Sequence, residues 1–538
     1  MRRAAWIILV SAAVCLVALC GRGATAASPA ALGAAEWTQW GGSYARNMIA
    51  QEKNLPTWFD AGIEKPQGAG AEAVPAGQPD GVVRWSARLG TESYGNPTVA
   101  GGRVFVGTNN GSLRDPRITG DRSVVMCFDD ATGEFLWQLV VPKMPEKDNF
   151  NGDHQGLGIC SSPTVDGDRV YCVTNRCEIV CLDVKGMADG NDGPYWDEAQ
   201  HMAGPGQPPI QPGPKDGDVL WLLDMRTELN IWPQDACNCS VLVLGDYLYA
   251  CTSNGVDKTH AHIPSPEAPS FVVLDKRTGQ LVARDATQNG PHFFHGNWSN
   301  PSLGRVGDRT LIFWGGGDGI CYAFDPEPGP AQDDGMRYLK TVWQYDVNPP
   351  ERKQHKYKHP EGPSEIIATP VFYKDRVYVD VGQDPLHGNG VGNLACIDAT
   401  KTGDITGTGT VWACGTIRRS LSTISIWDGL LFVADYWGHV RCLDADTGRE
   451  YWVHDLKTRI WSSTLAADGK VYIGTEKKKM TVFAASKELK VLAEFPLGAK
   501  MYNTPIAVNG RLYVATNERL FVVEKRAEQA AAGPGQGE

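Results

Sequence analysis

The chain has 538 residues and a formal net charge of -11, and 42% of its residues are hydrophobic. The acidic balance and the lack of a long basic run argue against nucleic acid as a partner, because phosphate binding needs clustered Lys and Arg. Beyond the N-terminal apolar run, no stretch is long and apolar enough to span a bilayer.

Residues 1–26 have the layout of a secretory signal peptide. Arg2 and Arg3 precede an apolar run that ends at Cys20, and small residues up to Ala26 suit cleavage. The competing interpretation is lipidation at Cys20, but Leu19 before it is larger than such a site prefers. We therefore expect a periplasmic or secreted protein, attached to a membrane only if Cys20 is lipidated.

Residues 27–80 are predicted to be an N-terminal segment followed by a linker. The segment carries two tryptophans close together, Trp37 and Trp40, and we expect it to pack on the domain that follows. The Gly-, Ala- and Pro-rich piece from Ala61 to Asp80 is predicted to be the linker.

One sequence pattern is then repeated eight times, most clearly in Asn96 to Thr108 and in Ser162 to Tyr171. Each copy has a small polar residue, a short apolar strand, a Gly/Asp turn, an alternating second strand and a third strand that ends on Asp. A fourth strand carries a tryptophan, as at Trp137 and Trp452. Eight copies of about 40 to 50 residues are typical of four-stranded blades. The residues that follow the small polar one, here called anchors, are Pro97, Pro163, Val241, Pro301, Pro370, Ile424, Thr464 and Pro505.

The repeat predicts an all-β fold, an eight-bladed β-propeller over residues 81–526. The last copy stops after its third strand, Arg519 to Glu524, while Val82 to Leu89 is a tryptophan-bearing strand without a blade. This N-terminal strand is therefore expected to complete the last blade and close the ring, which buries the sheet edges. Residues 527–538 form an Ala/Gly/Gln tail that we expect to remain unpacked.

Twelve of the fourteen cysteines lie beyond the signal peptide. Cys127, Cys181, Cys396 and Cys442 occupy one equivalent site in four blades, too far apart to bridge, and are predicted to be core residues. Cys160, Cys177, Cys237 and Cys239 lie in neighbouring blades, where a disulfide, a metal site or free thiols all remain open.

Long insertions fall on the face formed by the inter-blade loops and the loops between second and third strands. That face carries eight of the eleven histidines. A His/Asp metal or small-ligand site is predicted there, with the alternative that loop histidines cap turns or bond backbone carbonyls. The candidate ligands are Asp257, His260, His262, His295 and His387.

Other residues on this face suit a cofactor or an anionic ligand at the mouth of the central channel. Arg418 and Arg419 precede the first strand of blade 6 and suit a carboxylate, although they could equally pair with Asp384 or Asp435. The candidate cofactor-binding residues are Trp298, Asp318, Asp384, Arg418 and Arg419. The opposite face receives one large insertion, Lys185 to Asp218, which is predicted to be a surface loop.

The Asp-Ala-Thr-Gly turn at Asp130 to Gly133 and the Asp-Ala-Asp-Thr-Gly turn at Asp444 to Gly448, each followed by a tryptophan, resemble the tryptophan-docking repeat of PQQ-like propellers. That superfamily contains BamB-like scaffold proteins and quinoprotein alcohol dehydrogenases. The resemblance implies pyrroloquinoline quinone and calcium as cofactors if the chain is a dehydrogenase. Such enzymes place a vicinal cysteine disulfide against the quinone, hold calcium with Glu, Asn and Asp, and use an aspartate base. This chain has no Cys-Cys pair and no Cys-x-x-Cys-His haem motif.

The sequence therefore favours a non-catalytic binding or scaffold protein over an enzyme. Its expected partner is a protein, a glycan or a small ligand at the channel mouth. The alternative is a divergent quinone- and calcium-dependent alcohol dehydrogenase, that is, a quinoprotein oxidoreductase. A third hypothesis is a metal-dependent enzyme at the histidine-bearing face.

Overall fold

Short strands separated by Gly- and Asp-bearing turns make up almost all of the regular structure of this chain, seen in a computed structural model. The structure describes residues 36–63, 78–145, 152–292, 295–349, 364–382 and 392–527. The predicted signal peptide and most of the predicted tail lie outside these ranges. None of the helices in the described ranges is long and apolar enough to cross a membrane.

Two strands precede the first complete blade, β1 (Ile49–Ala50) and β2 (Gly81–Arg88). Blade 1 then contains β3 (Thr98–Ala100), β4 (Arg103–Asn109), β5 (Arg122–Asp129) and β6 (Phe135–Pro142). Blade 2 contains β7 (Thr164–Asp166), β8 (Arg169–Val173), β9 (Glu178–Asp183) and β10 (Val219–Asp224). Blade 3 contains β11 (Leu242–Leu244), β12 (Tyr247–Cys251), β13 (Phe271–Asp275) and β14 (Leu281–Arg284). Blade 4 contains β15 (Ser302–Val306), β16 (Arg309–Gly315), β17 (Ile320–Phe324) and β18 (Thr341–Asp346).

Blade 5 contains β19 (Val371–Tyr373), β20 (Arg376–Val381), β21 (Asn393–Asp398) and β23 (Thr410–Cys414), with the short β22 (Gly403–Asp404) added to the edge of blade 4. Blade 6 contains β24 (Ser425–Trp427), β25 (Leu430–Ala434), β26 (His439–Asp444) and β27 (Glu450–Asp455). Blade 7 contains β28 (Leu465–Ala467), β29 (Lys470–Gly474), β30 (Lys479–Ala484) and β31 (Val491–Pro496). Blade 8 contains β32 (Ile506–Val508), β33 (Arg511–Ala515) and β34 (Arg519–Lys525).

The predicted closure of the ring is confirmed, because β2 is the fourth strand of blade 8. It pairs antiparallel with β34 from Gly81 opposite Lys525 to Arg88 opposite Arg519. The protein is thus an eight-bladed β-propeller in which β2 and the last strand, β34, share one sheet. This pairing covers an edge of β34 that would otherwise be open to other chains.

Tryptophans of the fourth strands join six of the blades to the next. In six blades of the described part, the indole Nε1–H donates to a backbone carbonyl at the end of the third strand of the following blade, at 2.8 to 3.2 Å. These tryptophans are Trp85, Trp137, Trp221, Trp343, Trp412 and Trp452. The glycine of the turn makes room for the ring: Gly133 has a φ of +76°, and a Cβ there would lie 2.6 Å from the Trp85 ring. The recurring Asp-x-x-x-Gly turn therefore combines positive φ with an indole contact.

The four equivalent cysteines are buried next to four of these tryptophans, as predicted for core residues. Cys127, Cys181, Cys396 and Cys442 lie directly opposite Trp137, Trp221, Trp412 and Trp452 across the third and fourth strands. All four are fully buried. The twelve cysteines of the described ranges carry free thiols, and these include Cys160, Cys177, Cys237 and Cys239, for which a disulfide was one alternative.

The small polar residues before the anchors form a ring of contacts around the channel. Seven hydrogen bonds among the described residues join these positions from blade to blade, at 2.6 to 3.3 Å. In six of them a backbone amide donates to the polar side chain of the next blade, and in the seventh the Asn300 amide side chain donates to the Thr369 hydroxyl. The ring consists of Asn96, Ser162, Ser240, Asn300, Thr369, Thr423, Ser463 and Thr504. The repeat conserves a short polar side chain here because each must reach its neighbour in the next blade.

The N-terminal segment runs around the channel along the first strands, one level below this ring. It bonds to the residue two places after the anchor in several blades: Trp37 pairs with Val99, and the amides of Val165 and Leu303 donate to Thr38 and Tyr44. Further along, β1 runs parallel to β28, and Gly510 of blade 8 donates to Glu52. The expected packing of this segment is therefore seen, and it provides a floor beneath the channel mouth.

Candidate functional site at the channel mouth

The mouth of the channel is lined by the residues two places before the small polar ring. These residues are Tyr94, Cys160, Asn238, Trp298, Ile367, Leu421, Trp461 and Tyr502, and we call them the mouth ring. Six of them are half-buried, while Trp298 and Tyr502 retain 6% and 8% exposure. The residues between the mouth ring and the small polar ring are all buried. Because the same register position remains partly exposed in six of the eight blades, we infer that it lines the mouth.

The mouth ring is strongly asymmetric in chemistry. Trp461, Tyr502 and Tyr94 come from three successive blades, 7, 8 and 1, and we call them the aromatic quarter. Tyr94 stacks on Tyr502 with ring centroids 4.8 Å apart, and Trp461 lies 5.5 Å from Tyr502 and 6.2 Å from Tyr94. Pairs at these separations gain energy beyond the area they bury, so the three rings form a fixed surface.

Charged side chains surround the aromatic quarter. The Trp461 indole donates to Glu476 at 2.7 Å, the Asn517 amide donates to Glu92 at 2.6 Å, and the Lys500 ammonium donates to the Tyr502 hydroxyl at 3.2 Å. Burial raises the pKa of Glu92, and the nearby Lys500 opposes that increase while Glu476 adds to it. The quarter thus combines flat apolar faces with two carboxylates and an ammonium.

A second aromatic pair extends this surface toward blade 6. Tyr436 is buried and lies 5.4 Å from Trp461, and the half-buried Trp437 lies 5.5 Å from Tyr436. The guanidinium of the fully buried Arg419 lies 5.9 Å from the Trp437 ring. Arg419 therefore supports the mouth from below, whereas Arg418 is exposed.

The predicted histidine site is partly assembled on the opposite side of the mouth. His260 and His295 form a tilted pair with ring centroids 4.5 Å apart, and His295 lies 5.3 Å from Trp298. Asp235 accepts from His154 at 3.0 Å, and its second oxygen lies 3.7 Å from Nδ1 of the fully buried His295. The hydrogen bond to Asp235 raises the pKa of His154 despite partial burial.

The remaining predicted metal ligands do not join this cluster. Asp257 accepts from the amide and hydroxyl of Thr259, and His262 is exposed. Within the described ranges, no group of three or more His, Cys, Asp and Glu residues could hold a metal ion. His387 and Asp384 lie outside the described residues. The sequence did not indicate Asp235 as a site residue. Its left-handed backbone (φ +55°) and its contacts with two other loops depend on the geometry of the closed ring.

Asp318 lies in the tight turn predicted for the glycine-rich stretch after β16. Its carboxylate accepts from the Ile320 amide and from the Tyr322 hydroxyl at 2.6 Å. Its residue retains only 2% exposure. Burial raises the pKa of Asp318 to about 7, although the Tyr322 hydrogen bond acts in the other direction.

This buried carboxyl predicts a measurable pH dependence. The folded protein keeps a proton that the unfolded chain releases above its ordinary pKa of 3.8. The contribution of Asp318 to the free energy of unfolding is therefore fully present below pH 3.8. It is lost as the pH rises toward about 7, by up to about 1.4 kcal/mol per pH unit. We expect Asp318→Asn to flatten this part of the pH profile of urea-induced unfolding. The exposed Asp308→Asn should leave it unchanged, and a wild-type slope in Asp318→Asn would contradict the assignment.

The described residues do not fit the quinone and calcium that the fold family implies. Trp298 is nearly buried and its indole donates to the Gln234 carbonyl at 3.1 Å. Asp318 and Arg419 are buried among protein partners, and only Arg418 among the described cofactor candidates reaches solvent freely. No vicinal cysteine pair is available in the sequence to cover a quinone face.

The insertion predicted as a surface loop is largely irregular and also contains two short helical elements. It contains a 3-10 turn (Gly186–Ala188) and helix α1 (Glu198–Ala203), and α1 packs on β6 of blade 1. His201 reaches the buried Glu178 at 3.1 Å. Burial alone would raise the pKa of Glu178, but His201 and Arg176 lower it to about 2. The contact between His201 and Glu178, at the first residue of β9, thus fixes the insertion against blade 2.

A family model described as the outer membrane protein assembly factor BamB matches residues 67–186, 340–492 and 437–529, more than half of the chain. The chain belongs to this family of PQQ-like repeat propellers. Among solved structures, BamB from Moraxella catarrhalis has a TM-score of 0.50 at 14% identity and covers 84% of this chain and 99% of its own. Quinohemoprotein alcohol dehydrogenase from Comamonas testosteroni has a TM-score of 0.55 at 13% identity, covering 93% and 82%. These likenesses show the fold.

A curated relative, lupanine 17-hydroxylase [cytochrome c] of a Pseudomonas species, is 26% identical over 415 residues. The match includes 70% of this chain and 52% of that protein, so this chain spans about half the length of the curated relative.

Proposed function

We propose that this chain is an exported, non-catalytic binding protein that holds its ligand at the channel mouth, as a scaffold of the BamB type. The observation that carries the proposal is the mouth ring, a lining of eight residues in one register above a floor made by the N-terminal segment. This lining combines aromatic and aliphatic side chains with a few polar groups, a composition that is common in ligand sites.

The chemistry of the described residues supports binding over quinone-dependent oxidation. Two of the candidate cofactor-binding residues, Asp318 and Arg419, are buried inside the protein. The membership in the BamB family and the absence of a Cys-Cys sequence point in the same direction. The alternative, an alcohol dehydrogenase, is retained as the competing outcome of the test.

The test is a titration of the purified mature protein with pyrroloquinoline quinone and calcium. Tryptophan fluorescence would follow binding, and reduction of an electron-accepting dye with a panel of primary and secondary alcohols would follow turnover. We expect neither saturable quenching nor dye reduction at high micromolar quinone. A quinoprotein dehydrogenase reconstituted in the same buffer is the positive control. Saturable quenching together with alcohol-dependent turnover would overturn the proposal.

A further inference from the structure

The aromatic quarter differs from the rest of the mouth ring in a way that indicates a particular ligand. Trp461 and Tyr94 are half-buried, so each presents part of a ring to the mouth, and Tyr502 lies between them with 8% exposure. The other ring positions are occupied by Cys160, Asn238, Trp298, Ile367 and Leu421. Trp298 is engaged with His295. Within the mouth ring, the aromatic side chains that contact one another therefore come from blades 7, 8 and 1.

The polar groups beside this surface come from the same three blades. Glu476 follows the second strand of blade 7, Lys500 lies in the loop into blade 8, and Glu92 lies in the loop into blade 1. Each already touches the surface or its support: Glu476 accepts from Trp461, Lys500 donates to Tyr502, and Asn517 donates to Glu92. Their remaining lone pairs and N–H groups are available to a ligand that rests on the rings.

The mixture of charges selects against a strongly charged ligand. A cation would meet the exposed Lys500 and Arg459, whose guanidinium lies 5.6 Å from the Tyr436 ring. An anion would meet Glu92 and Glu476. A neutral ligand with many hydroxyl groups can accept from the ammonium and donate to both carboxylates, and bonds to charged groups are stronger than neutral ones.

We propose that the aromatic quarter is a subsite for a neutral pyranose ring of a carbohydrate. A pyranose has a face of C–H groups that packs on an aromatic ring and a rim of hydroxyls that hydrogen-bonds at its edge. Trp461 would carry the sugar face, and Glu476, Glu92 and Lys500 would bind its hydroxyls. This inference rests on the proposed function and specifies the ligand class of the same mouth.

The experiment is a calorimetric titration of the full mature protein with neutral tetrasaccharides of glucose, galactose, mannose and N-acetylglucosamine. We expect at least one to bind saturably. Trp461→Ala should weaken that binding by at least about tenfold, the size expected for a central aromatic contact. Trp461→Phe should retain most of the affinity because it keeps a flat ring. The matched control is Trp196→Ala, a 71% exposed tryptophan of the insertion that makes none of the quarter's ring contacts.

The outcomes separate this inference from the proposed function. Binding of no tetrasaccharide, or binding that Trp461→Ala leaves unchanged in a protein with wild-type circular dichroism, would overturn the carbohydrate subsite alone. Choline is a further probe: if it binds and the saccharides do not, the site is cationic and the inference is wrong. Quinone-dependent turnover would instead overturn the proposed function.

Discussion

Trp343→Ala is expected to lower the free energy of unfolding by about 4 kcal/mol, within the range for removing a fully buried tryptophan. The indole has no solvent exposure, packs 5.7 Å from the Phe313 ring and donates its Nε1–H to the Ala399 carbonyl at 3.2 Å. Its removal would leave both a cavity between blades 4 and 5 and a carbonyl without its donor. Guanidinium chloride denaturation followed by circular dichroism would measure the loss.

Two further variants separate the parts of this effect. Trp343→Phe retains much of the ring volume but loses the hydrogen bond, so a smaller loss of about 1 to 2 kcal/mol is expected. Trp196→Ala removes an exposed indole and should change stability by less than about 0.5 kcal/mol. If Trp343→Ala were as stable as Trp196→Ala, tryptophan docking would not be what joins these blades.

Arg46→Met is expected to destabilise the protein by about 3 kcal/mol. The guanidinium is completely buried at the centre of the propeller and donates to the carbonyls of Pro301, Trp40 and Val241 at 2.6 to 2.9 Å. Burial lowers the pKa of Arg46 to about 10, which is still high enough to keep the side chain charged at neutral pH. Methionine would fill part of the space but leave the Pro301 and Trp40 carbonyls without the Arg46 donors, whereas the Val241 carbonyl would keep its bond from the Thr164 hydroxyl.

The same denaturation assay measures this change, and limited proteolysis reports its location. Since Arg46 ties the N-terminal segment to blades 3 and 4, we expect Arg46→Met to expose residues 36–50 to protease earlier than the blades. Arg305→Met, at a site with 58% side-chain exposure, is the matched control. Equal protease resistance of the segment in both variants would show that the segment is held without Arg46.

The blades could be predicted because their signals are local. The Asp-x-x-x-Gly turn, the alternating strand and the tryptophan lie within one repeat, and each repeat buries its apolar face only against a neighbour of the same kind. The pairing of β2 with β34 followed from a missing strand at one end of the repeats and a spare strand at the other. The core role of Cys127 and its equivalents followed from their constant position.

The mouth was only partly predicted. Sequence reasoning selected histidines by residue type. Of the predicted ligands, the structure brings together His260 and His295 but not Asp257 or His262. The aromatic quarter was missed, although a signal was present: its members all stand two places before the small polar residue of the repeat. Alignment of the inter-blade loops on that residue would have shown Trp461, Tyr502 and Tyr94 in successive blades.

The amino-acid pattern therefore specified the number of blades, their internal order and the way the ring closes, since these depend on contacts within or between adjacent repeats. Which loops meet over the channel depends instead on the curvature of the closed ring, a property of all eight blades together. The same holds for the N-terminal segment, which finds hydrogen-bond partners such as Val99 and Ala466 only once the first strands surround a common axis. The chemistry of the mouth, including the Asp235 contacts and the aromatic quarter, is thus a consequence of tertiary structure.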